Sequence, residues 1–237
     1  YPQGVIDDIP GIAAIARANN FNCHVDACMG GVTLTYLAKL GHNIPPWNLL
    51  VDGVSSISVD LHKFGYTAKG ASVMMYASKH LRLYQVFITE NWLGGLYGSS
   101  GILGTKSGGS IAAAWATLRH LGDEGYLRLT EHARLATEQL ANYITSDPRL
   151  VLRARPVAML VCFGASDETS LDIFAVADEL WRRGWYVDRQ SPPRSLHCTV
   201  NAVHHHTIGA FIHELTSAID HVVATGAQGT AIPYGTV

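Results

Sequence analysis

Hydrophobic residues change their spacing several times along the chain, and each change predicts a new element of secondary structure. The first apolar residues fall on one face of a predicted helix: Ile9, Ile12, Ala13 and Ala16. The aspartates before them and Pro10 in the first turn favour a helix start at this point. Three short apolar runs follow, and we predict buried strands over residues 21–27, 55–60 and 71–77. Strands that alternate with helical segments indicate an α/β sheet.

A long segment rich in glycine and serine occupies residues 92–109. A loop of this length is usually functional or mobile. Helical spacing resumes at about Ser110, and a long helix with one apolar stripe is predicted after Gly122. The residues of this stripe are Leu129, Ala133, Ala136, Leu140 and Ile144. Pro148 then ends the helix.

Beyond residue 149 the pattern predicts a small α+β domain. Residues 151–163 predict a hairpin, and residues 185–187 and 196–200 predict two more strands. A helix is predicted over residues 171–183, with a buried face formed by Phe174, Ala177 and Trp181. The final predicted helix buries another set at helical spacing: Ile208, Phe211, Leu215, Ile219 and Val222.

Composition and charge exclude several classes of protein. Of 237 residues, 48% are hydrophobic and 15% are charged, which is typical of a globular chain with a core. With 17 basic and 19 acidic residues and no basic stripe, we expect no nucleic-acid partner. No apolar run approaches the roughly 20 residues that span a bilayer, so we expect no membrane span and a cytoplasmic protein.

The cysteines and histidines do not predict a metal site. Cys23, Cys28, Cys162 and Cys198 show no CxxC pairing, and we expect them to be reduced. The run 204–206 is three histidines, but no carboxylate or cysteine lies at a matching spacing. A solvated loop before a helix is therefore the favoured interpretation of this run.

Asp26 stands where the first predicted strand ends. Ligands of open α/β sheets bind at the carboxyl ends of strands. An acid at that place is costly unless a cation meets it. Alternation puts His24 on the same face as Asp26. The residues alone leave a second interpretation open, in which Asp26 is a structural carboxylate that caps the following helix.

His62 and Lys63 follow Asp60, which ends the second predicted strand, and so lie at the same edge of the sheet. Gly65 and Gly70 leave the backbone free to fold sharply around them. Desolvation at such an edge can lower the pKa of a lysine and make it an amine nucleophile. Taken alone, the residues favour an ordinary surface lysine.

Three blocks of sequence change this balance. Residues 24–31 (HVDACMGG), 58–76 (SVDLHKFGYTAKGASVMMY) and 91–109 (NWLGGLYGSSGILGTKSGG) resemble the pyridoxal-phosphate-dependent (group II) decarboxylase superfamily. Residues 191–200 (SPPRSLHCTV) match it more weakly. Within the superfamily, the resemblance is to lyases of phosphorylated sphingoid bases, and it runs along nearly all of the chain.

The resemblance implies pyridoxal 5'-phosphate as the cofactor and assigns roles to particular residues. Lys63 would be the Schiff-base lysine, and Asp26 would hold the pyridine nitrogen protonated. His62 would donate to the cofactor phosphate, and Lys69 would meet the substrate phosphate. The remaining implied cofactor-binding residues are His24, Ala27, Gly104 and Thr105.

The resemblance also implies a fold and an assembly. The fold would be the α/β architecture of fold type I, with the N-terminal part of the large domain absent, because the chain begins at Tyr1 and is interpreted as a piece of a longer protein. Residues 1–121 would be the C-terminal part of the large cofactor-binding domain, 122–148 a linking helix, and 149–237 the small α+β domain. A homodimer with shared active sites is expected, in which Gly104 and Thr105 help cover the partner's site. A membrane anchor in the missing upstream part stays open.

Three functions remain open at this point. The first is a lyase that cleaves a phosphorylated sphingoid base into a long-chain aldehyde and phosphoethanolamine. The second is an amino-acid decarboxylase, which needs a cation, typically arginine, for the substrate carboxylate; Lys69 favours the lyase. The third is an inactive fragment that acts only as an interaction module.

Overall fold

Two units make up the structure, a computed structural model that describes residues 1–230. The N-terminal unit consists of Ile6–Ala38 and Asn43–Gly125. The C-terminal unit consists of Tyr1–Val5, Lys39–His42 and the chain from Tyr126 onward. The last residues of the predicted small domain, 231–237, lie outside the described part of the chain.

The elements that begin in the N-terminal unit include the predicted helices and strands and three short elements that the sequence did not predict. They are α1 (Ile9–Ala18), β1 (Cys23–Asp26), α2 (Gly30–Lys39), β2 (Val54–Asp60), β3 (Ser72–Tyr76), α3 (Lys79–Leu83), β4 (Phe87–Thr89), β5 (Tyr97–Ser99) and α4 (Gly108–Ser146). Asp8 caps α1, since its side chain accepts a hydrogen bond from the Gly11 N–H. The predicted first helix and three strands are confirmed. Ile12, which was predicted to lie on the apolar face of this helix, is 46% exposed, because the buried face consists of Ile9, Ala13 and Ala16.

The three-stranded sheet has the order β1-β2-β3. Strand β1 pairs with β2 in parallel, and β2 pairs with β3 antiparallel. The side chains of Val25, Ile57 and Val59 are buried on one face. The prediction that all three strands are buried is wrong for β3, where Met74 and Met75 are 46% and 40% exposed. Strand β3 has a paired neighbour on one side only, which leaves it at an edge of this sheet.

The glycine-rich segment contains a structure that the sequence did not predict. Strands β4 and β5 form an antiparallel hairpin, so the predicted loop of residues 92–109 is interrupted by a strand. The rings of Trp92 and Tyr97 pack edge to face within it, with centroids 5.7 Å apart. Each strand has only three residues, and Gly98 lies at the centre of β5, which hides the period-two pattern.

Helix α4 is two helices joined at a kink. Gly122 has φ 55° and ψ −172°, a backbone conformation that favours glycine. The predicted helix that follows Gly122 is confirmed, and it ends at Ser146, before Pro148. Four residues of its predicted stripe are buried to 1% exposure or less: Ala133, Ala136, Leu140 and Ile144.

The C-terminal unit is an antiparallel sheet covered by helices. Its further elements are β6 (Leu150–Leu152), β7 (Leu160–Ala165), α5 (Ile173–Arg182), β8 (Asp188–Gln190), β9 (Ser195–Thr199), a short 3-10 helix (Ala202–His206) and α6 (Ile208–Thr225). The strand order is β6-β7-β9-β8. The predicted hairpin and both helices are confirmed, and all five apolar residues predicted for α6 are buried.

Three predictions for this unit are corrected. Trp181 is 66% exposed, because its ring packs edge to face on Tyr186 at the surface instead of in the core. The strand predicted over residues 185–187 lies instead at Asp188–Gln190, and Trp185 packs against Phe211. The three consecutive histidines lie in the 3-10 helix, which Asn201 caps, and not in a loop.

The described part of the chain has neither a metal cluster nor a membrane-spanning helix, and its cysteines are unbridged. Residues 1–230 contain no group of three or more histidine, cysteine or acidic side chains that could hold a metal ion. The four cysteines are free. Within the same residues, no helix is both long enough and apolar enough to cross a membrane.

Asp172 is the buried cap of α5, and replacing it tests the C-terminal unit. Its carboxylate accepts hydrogen bonds from the N–H groups of Phe174, Ala175 and Gly229 and pairs with Arg194. Asp172→Ala should therefore lower the free energy of unfolding by about 2 kcal/mol at pH 7. Chemical denaturation followed by circular dichroism measures this difference.

The same variant should show a defined pH dependence. Burial raises the pKa of Asp172, but the three N–H groups and the charge of Arg194 lower it by more, so the folded-state pKa lies below the usual value. The difference in free energy of unfolding between wild type and Asp172→Ala should have its full size above about pH 4. It should shrink as the pH falls through the folded-state pKa of Asp172. Asp220→Ala, which loses only an exposed ion pair with Arg149, is the control and should change stability by less than about 1 kcal/mol. A pH-independent difference for Asp172→Ala would contradict this account.

Candidate active site

One face of the three-stranded sheet is polar. Alternation along β1 turns His24 and Asp26 to the same side, as predicted, because the buried residues of this strand are Cys23 and Val25. The parallel register sets His24 opposite Ser56 and Asp26 opposite Ser58. The polar residues of two neighbouring strands therefore share one surface, which we call the polar face.

Asp26 lies at the end of β1, and its carboxylate is held by neighbours. Its Oδ1 atom accepts hydrogen bonds from the Cys28 N–H at 3.0 Å and from the Ser58 hydroxyl at 3.2 Å. Partial burial raises the pKa of Asp26, but these bonds, the Cys28 thiol and the charge of Lys63 lower it by more, so the pKa lies below its ordinary value. The bond to Cys28 closes a turn before α2 begins at Gly30.

Lys63 follows β2 and contacts two side chains. Its Nζ atom lies 3.0 Å from Asp60 Oδ2, and its side chain is 32% exposed. Partial burial lowers the pKa of the Lys63 amine, but its interactions with the Cys28 thiol and the Asp60 carboxylate raise it by more. The net pKa of this lysine is therefore raised, not lowered as the sequence suggested, because two partners outweigh the loss of water.

Cys28 lies between the two charged groups. Its thiol interacts with both the Lys63 amine and the Asp26 carboxylate, and its carbonyl accepts a hydrogen bond from the Asp60 N–H at 3.4 Å. Burial raises the pKa of the Cys28 thiol, which favours its protonated form. The thiol is thus a neutral group between a carboxylate and an ammonium.

Asp60 and His62 complete this edge of the sheet. The Ser72 hydroxyl donates to Asp60 Oδ1. Partial burial raises the pKa of Asp60, but Ser72, Lys63 and His62 lower it by more. His62 donates through Nδ1 to the Ala71 carbonyl at 2.9 Å, so in the neutral ring Nε2 is left as the acceptor. This atom lies 3.8 Å from Asp60 Oδ2.

The turn after Lys63 is tight, as the two glycines predicted. A Cβ atom on Gly65 would lie 2.3 Å from the Leu61 carbonyl oxygen, and Gly70 has φ 100°. Tyr66 also has a positive φ of 56°, which is uncommon for a residue other than glycine. The chain reverses here, and β3 then returns beside β2.

The other predicted site residues are less tightly grouped. Ala27 is buried, and its N–H donates to the Ser58 carbonyl at 3.0 Å. Lys69 is exposed in the turn between β2 and β3. Gly104 and Thr105 follow β5, and neither hydrogen-bonds to Asp26 or Lys63 within residues 1–230. One edge or face of the sheet thus carries His24, Asp26, His62 and Lys63. Within residues 1–230, Gly104 and Thr105 of the glycine-rich loop are not hydrogen-bonded to the Asp26 and Lys63 side chains.

Sequence reasoning missed three residues of this cluster as site residues: Cys28, Ser58 and Asp60. A signal for two of them existed, because Ser56, Ser58 and Asp60 are polar at alternate positions of an apolar strand. No pattern marked Cys28, whose role comes from contacts with residues distant along the chain. It was grouped with the other reduced cysteines.

The donor set fits pyridoxal phosphate. A protonated pyridine nitrogen needs a carboxylate that stays charged, and Asp26 meets this condition because its pKa is lowered. The cofactor aldehyde needs a primary amine, and Lys63 presents one at the same edge of the sheet. His62 adds an imidazole beside Lys63. Because its Nδ1 already donates to the Ala71 carbonyl, its Nε2 can donate to an anionic group in the doubly protonated ring.

Comparison with known proteins agrees with this fit. Residues 3–166 match the family described as the pyridoxal-dependent decarboxylase conserved domain. The chain is 37% identical to a sphingosine-1-phosphate lyase of Dictyostelium discoideum, over 99% of this chain and 44% of that protein. It is 33% identical to a probable L-aspartate decarboxylase of Pyrococcus furiosus, over 77% of this chain and 48% of that protein.

Solved structures support the same conclusion. A sphingosine-1-phosphate lyase of Burkholderia pseudomallei K96243 superposes with a TM-score of 0.88 at 35% identity, over 95% of this chain and 51% of that chain. The predicted α/β fold is thereby confirmed. The chain spans about half the length of that structure and slightly less than half the length of these two curated relatives. This chain belongs to the pyridoxal-dependent decarboxylase family, and its cofactor is pyridoxal phosphate.

Proposed function

We propose that this chain is part of a pyridoxal-phosphate-dependent lyase that cleaves a phosphorylated sphingoid base into a long-chain aldehyde and phosphoethanolamine. The observation that carries the proposal is the placement of Asp26 and Lys63 at one edge of a sheet, with Cys28 between them. The substrate class rests on the relatives named sphingosine-1-phosphate lyase, which match nearly the whole chain.

Each residue of the cluster has a proposed task. Pyridoxal phosphate, when bound, withdraws electrons from the amine-bearing carbon of the substrate, so that a bond to this carbon can break heterolytically. Asp26 keeps a negative charge for the pyridine nitrogen, and Lys63 provides the amine that carries the cofactor. Because the raised pKa of Lys63 favours its ammonium form, the amine must lose a proton before it acts as a nucleophile. His62 is proposed to bind the cofactor phosphate.

Lys69 is proposed to bind the substrate phosphate. It lies in the same turn as Lys63 but is exposed, so its ammonium can reach an anion that approaches from solvent. An ammonium on a flexible stem is a suitable point-charge partner for a phosphate. A phosphate is the feature that separates a phosphorylated sphingoid base from an ordinary amino acid.

The remaining assignments belong to the same proposal. Residues 1–121 are the C-terminal part of a large cofactor-binding domain, 122–148 a linking helix and 149–237 a small domain. Gly104 and Thr105 contribute to the site of a second copy in a homodimer, which is consistent with their separation from Lys63 within one chain. His24 and Ala27 line the cofactor site from β1. The protein is cytoplasmic.

An amino-acid decarboxylase is the second candidate, because a probable L-aspartate decarboxylase is 33% identical to this chain. Such an enzyme breaks a different bond to the same carbon and releases carbon dioxide. It would use the same Asp26 and Lys63 but would have no phosphate for Lys69 to bind. The role of Lys69 therefore separates the two candidates.

Lys63→Ala tests the cofactor assignment. The wild-type chain mixed with pyridoxal phosphate should show a visible absorption band that borohydride abolishes, and Lys63→Ala should not show it, since the amine that bonds the cofactor is gone. Lys79→Ala, which removes an exposed lysine of α3 in the same unit, should keep the band. A band of equal strength in Lys63→Ala, or no band in any of the three proteins, would contradict the assignment.

Lys69→Met tests the substrate assignment. Loss of one charged contact to the substrate phosphate should lower kcat/KM for a phosphorylated sphingoid base by about tenfold to a hundredfold, mostly through KM. Lys69→Arg should retain most of the activity, and Lys79→Met should retain all of it. Aldehyde release measures the reaction. Carbon dioxide release from an amino acid, unaffected by Lys69→Met, would favour the decarboxylase instead.

A further inference from the structure

His24 contacts the serines of the neighbouring strand. Its Nδ1 atom lies 2.8 Å from the Ser56 hydroxyl oxygen, and its Nε2 atom lies 3.2 Å from the Ser58 hydroxyl oxygen. These serines occupy alternate positions of β2, and the parallel register places them beside His24 and Asp26. The ring therefore bridges two polar positions along one strand.

The chemistry of the partners sets the direction of these hydrogen bonds. Ser58 has one hydroxyl proton, which it donates to Asp26 Oδ1 at 3.2 Å, because a charged carboxylate can only accept. The proton between His24 and Ser58 must then come from His24 Nε2. In the neutral ring, Nδ1 accepts the hydroxyl proton of Ser56. A connected set of bonds thus runs from Ser56 through His24 and Ser58 to Asp26.

These bonds act on the group that meets the cofactor. Oδ1 of Asp26 accepts from both Ser58 and the Cys28 N–H, two donors that lie on different segments of the chain. Two donors on one oxygen restrict rotation of the carboxylate and stabilise its charged form. His24 holds the Ser58 hydroxyl in the orientation that donates to Asp26.

We propose that His24 and Ser58 are positioning residues, which hold the Asp26 carboxylate charged and in one orientation through the bond sequence His24–Ser58–Asp26. The proposal rests on the proposed function only for what Asp26 meets, the pyridine nitrogen of the cofactor. The hydrogen bonds themselves are a property of the chain without cofactor. This gives His24 a role through Ser58, in addition to its proposed place in the lining of the cofactor site.

Other groups that act on Asp26 stay constant in the test. Lys63 faces it from the turn after β2, and the Cys28 thiol faces it from the turn after β1. Asp60 acts on Lys63 rather than on Asp26 directly. None of these residues is changed, so their contributions to the pKa of Asp26 are common to all variants.

The experiment is a titration of Asp26 in the purified chain without cofactor, by NMR of its 13C-labelled carboxyl carbon. Ser58→Ala should raise the pKa of Asp26 by about one pH unit, because one hydrogen bond to the charged form is lost. His24→Phe should raise it by about half as much. His24→Gln, whose amide can donate to Ser58 from the place of Nε2, should restore the wild-type value. His120→Phe, at an exposed histidine of the same unit, is the control and should change nothing.

Either of two titration results would overturn the proposal. An unchanged titration of Asp26 in both Ser58→Ala and His24→Phe would show that the bonds do not act on the carboxylate. Equal shifts in His24→Phe and His24→Gln would show that His24 acts by charge and not by donating to Ser58.

If acid unfolds a variant before Asp26 titrates, the affinity of each variant for pyridoxal phosphate at pH 7 is measured instead. We expect it to be about tenfold weaker in Ser58→Ala and His24→Phe but not in His24→Gln, and equal affinity in all variants would refute the proposal. The proposed function fails separately, by absence of a Lys63-dependent visible band.

Discussion

The parallel pairing of β1 with β2 is the constraint on which the site depends. It places Asp26 opposite Ser58 and brings the ends of both strands to one edge of the sheet. Because side chains alternate along a strand, a slip of one residue would turn Asp26 to the face where Val25 and Val59 are buried. Burial of a few apolar side chains on one face therefore determines which polar side chains share the other face.

The charges at this edge stabilise one another. The charge of Lys63 contributes to the lowered pKa of Asp26 and of Asp60, while the Cys28 thiol and Asp60 raise the pKa of the Lys63 amine. Each group is thereby held in its charged form before any ligand arrives. For Asp26 this is the form that a protonated pyridine nitrogen requires. For Lys63 it is the opposite of the form that a nucleophile requires, so loss of the Asp60 contact would favour the reactive amine.

Sequence reasoning predicted the elements whose pattern is local and missed features that depend on contacts between distant segments. The helices and the three main strands follow from spacing, capping and apolar runs, and Asp26 and Lys63 follow from strand ends together with the family resemblance. The β4–β5 hairpin was missed because its strands are three residues long, with a glycine inside. Trp181 was predicted to be buried because helical spacing does not separate a core aromatic from one that packs on a surface tyrosine. The pKa of Lys63 depends on Cys28, which is close only in the folded chain.

The polar face also shows how a carboxylate can be held without adding charge. Ser58 and the Cys28 N–H are neutral donors to Asp26, and Ser56 and Ser58 recur at alternate positions, where a strand presents them to one side. Basic side chains in their place would also lower the pKa of Asp26, but they would compete with the pyridine nitrogen for its charge. Neutral donors stabilise the carboxylate and leave its charge available to a cationic group of a ligand. Lys63 forms its direct ion pair with Asp60 and also interacts with the Cys28 thiol, which in turn interacts with Asp26.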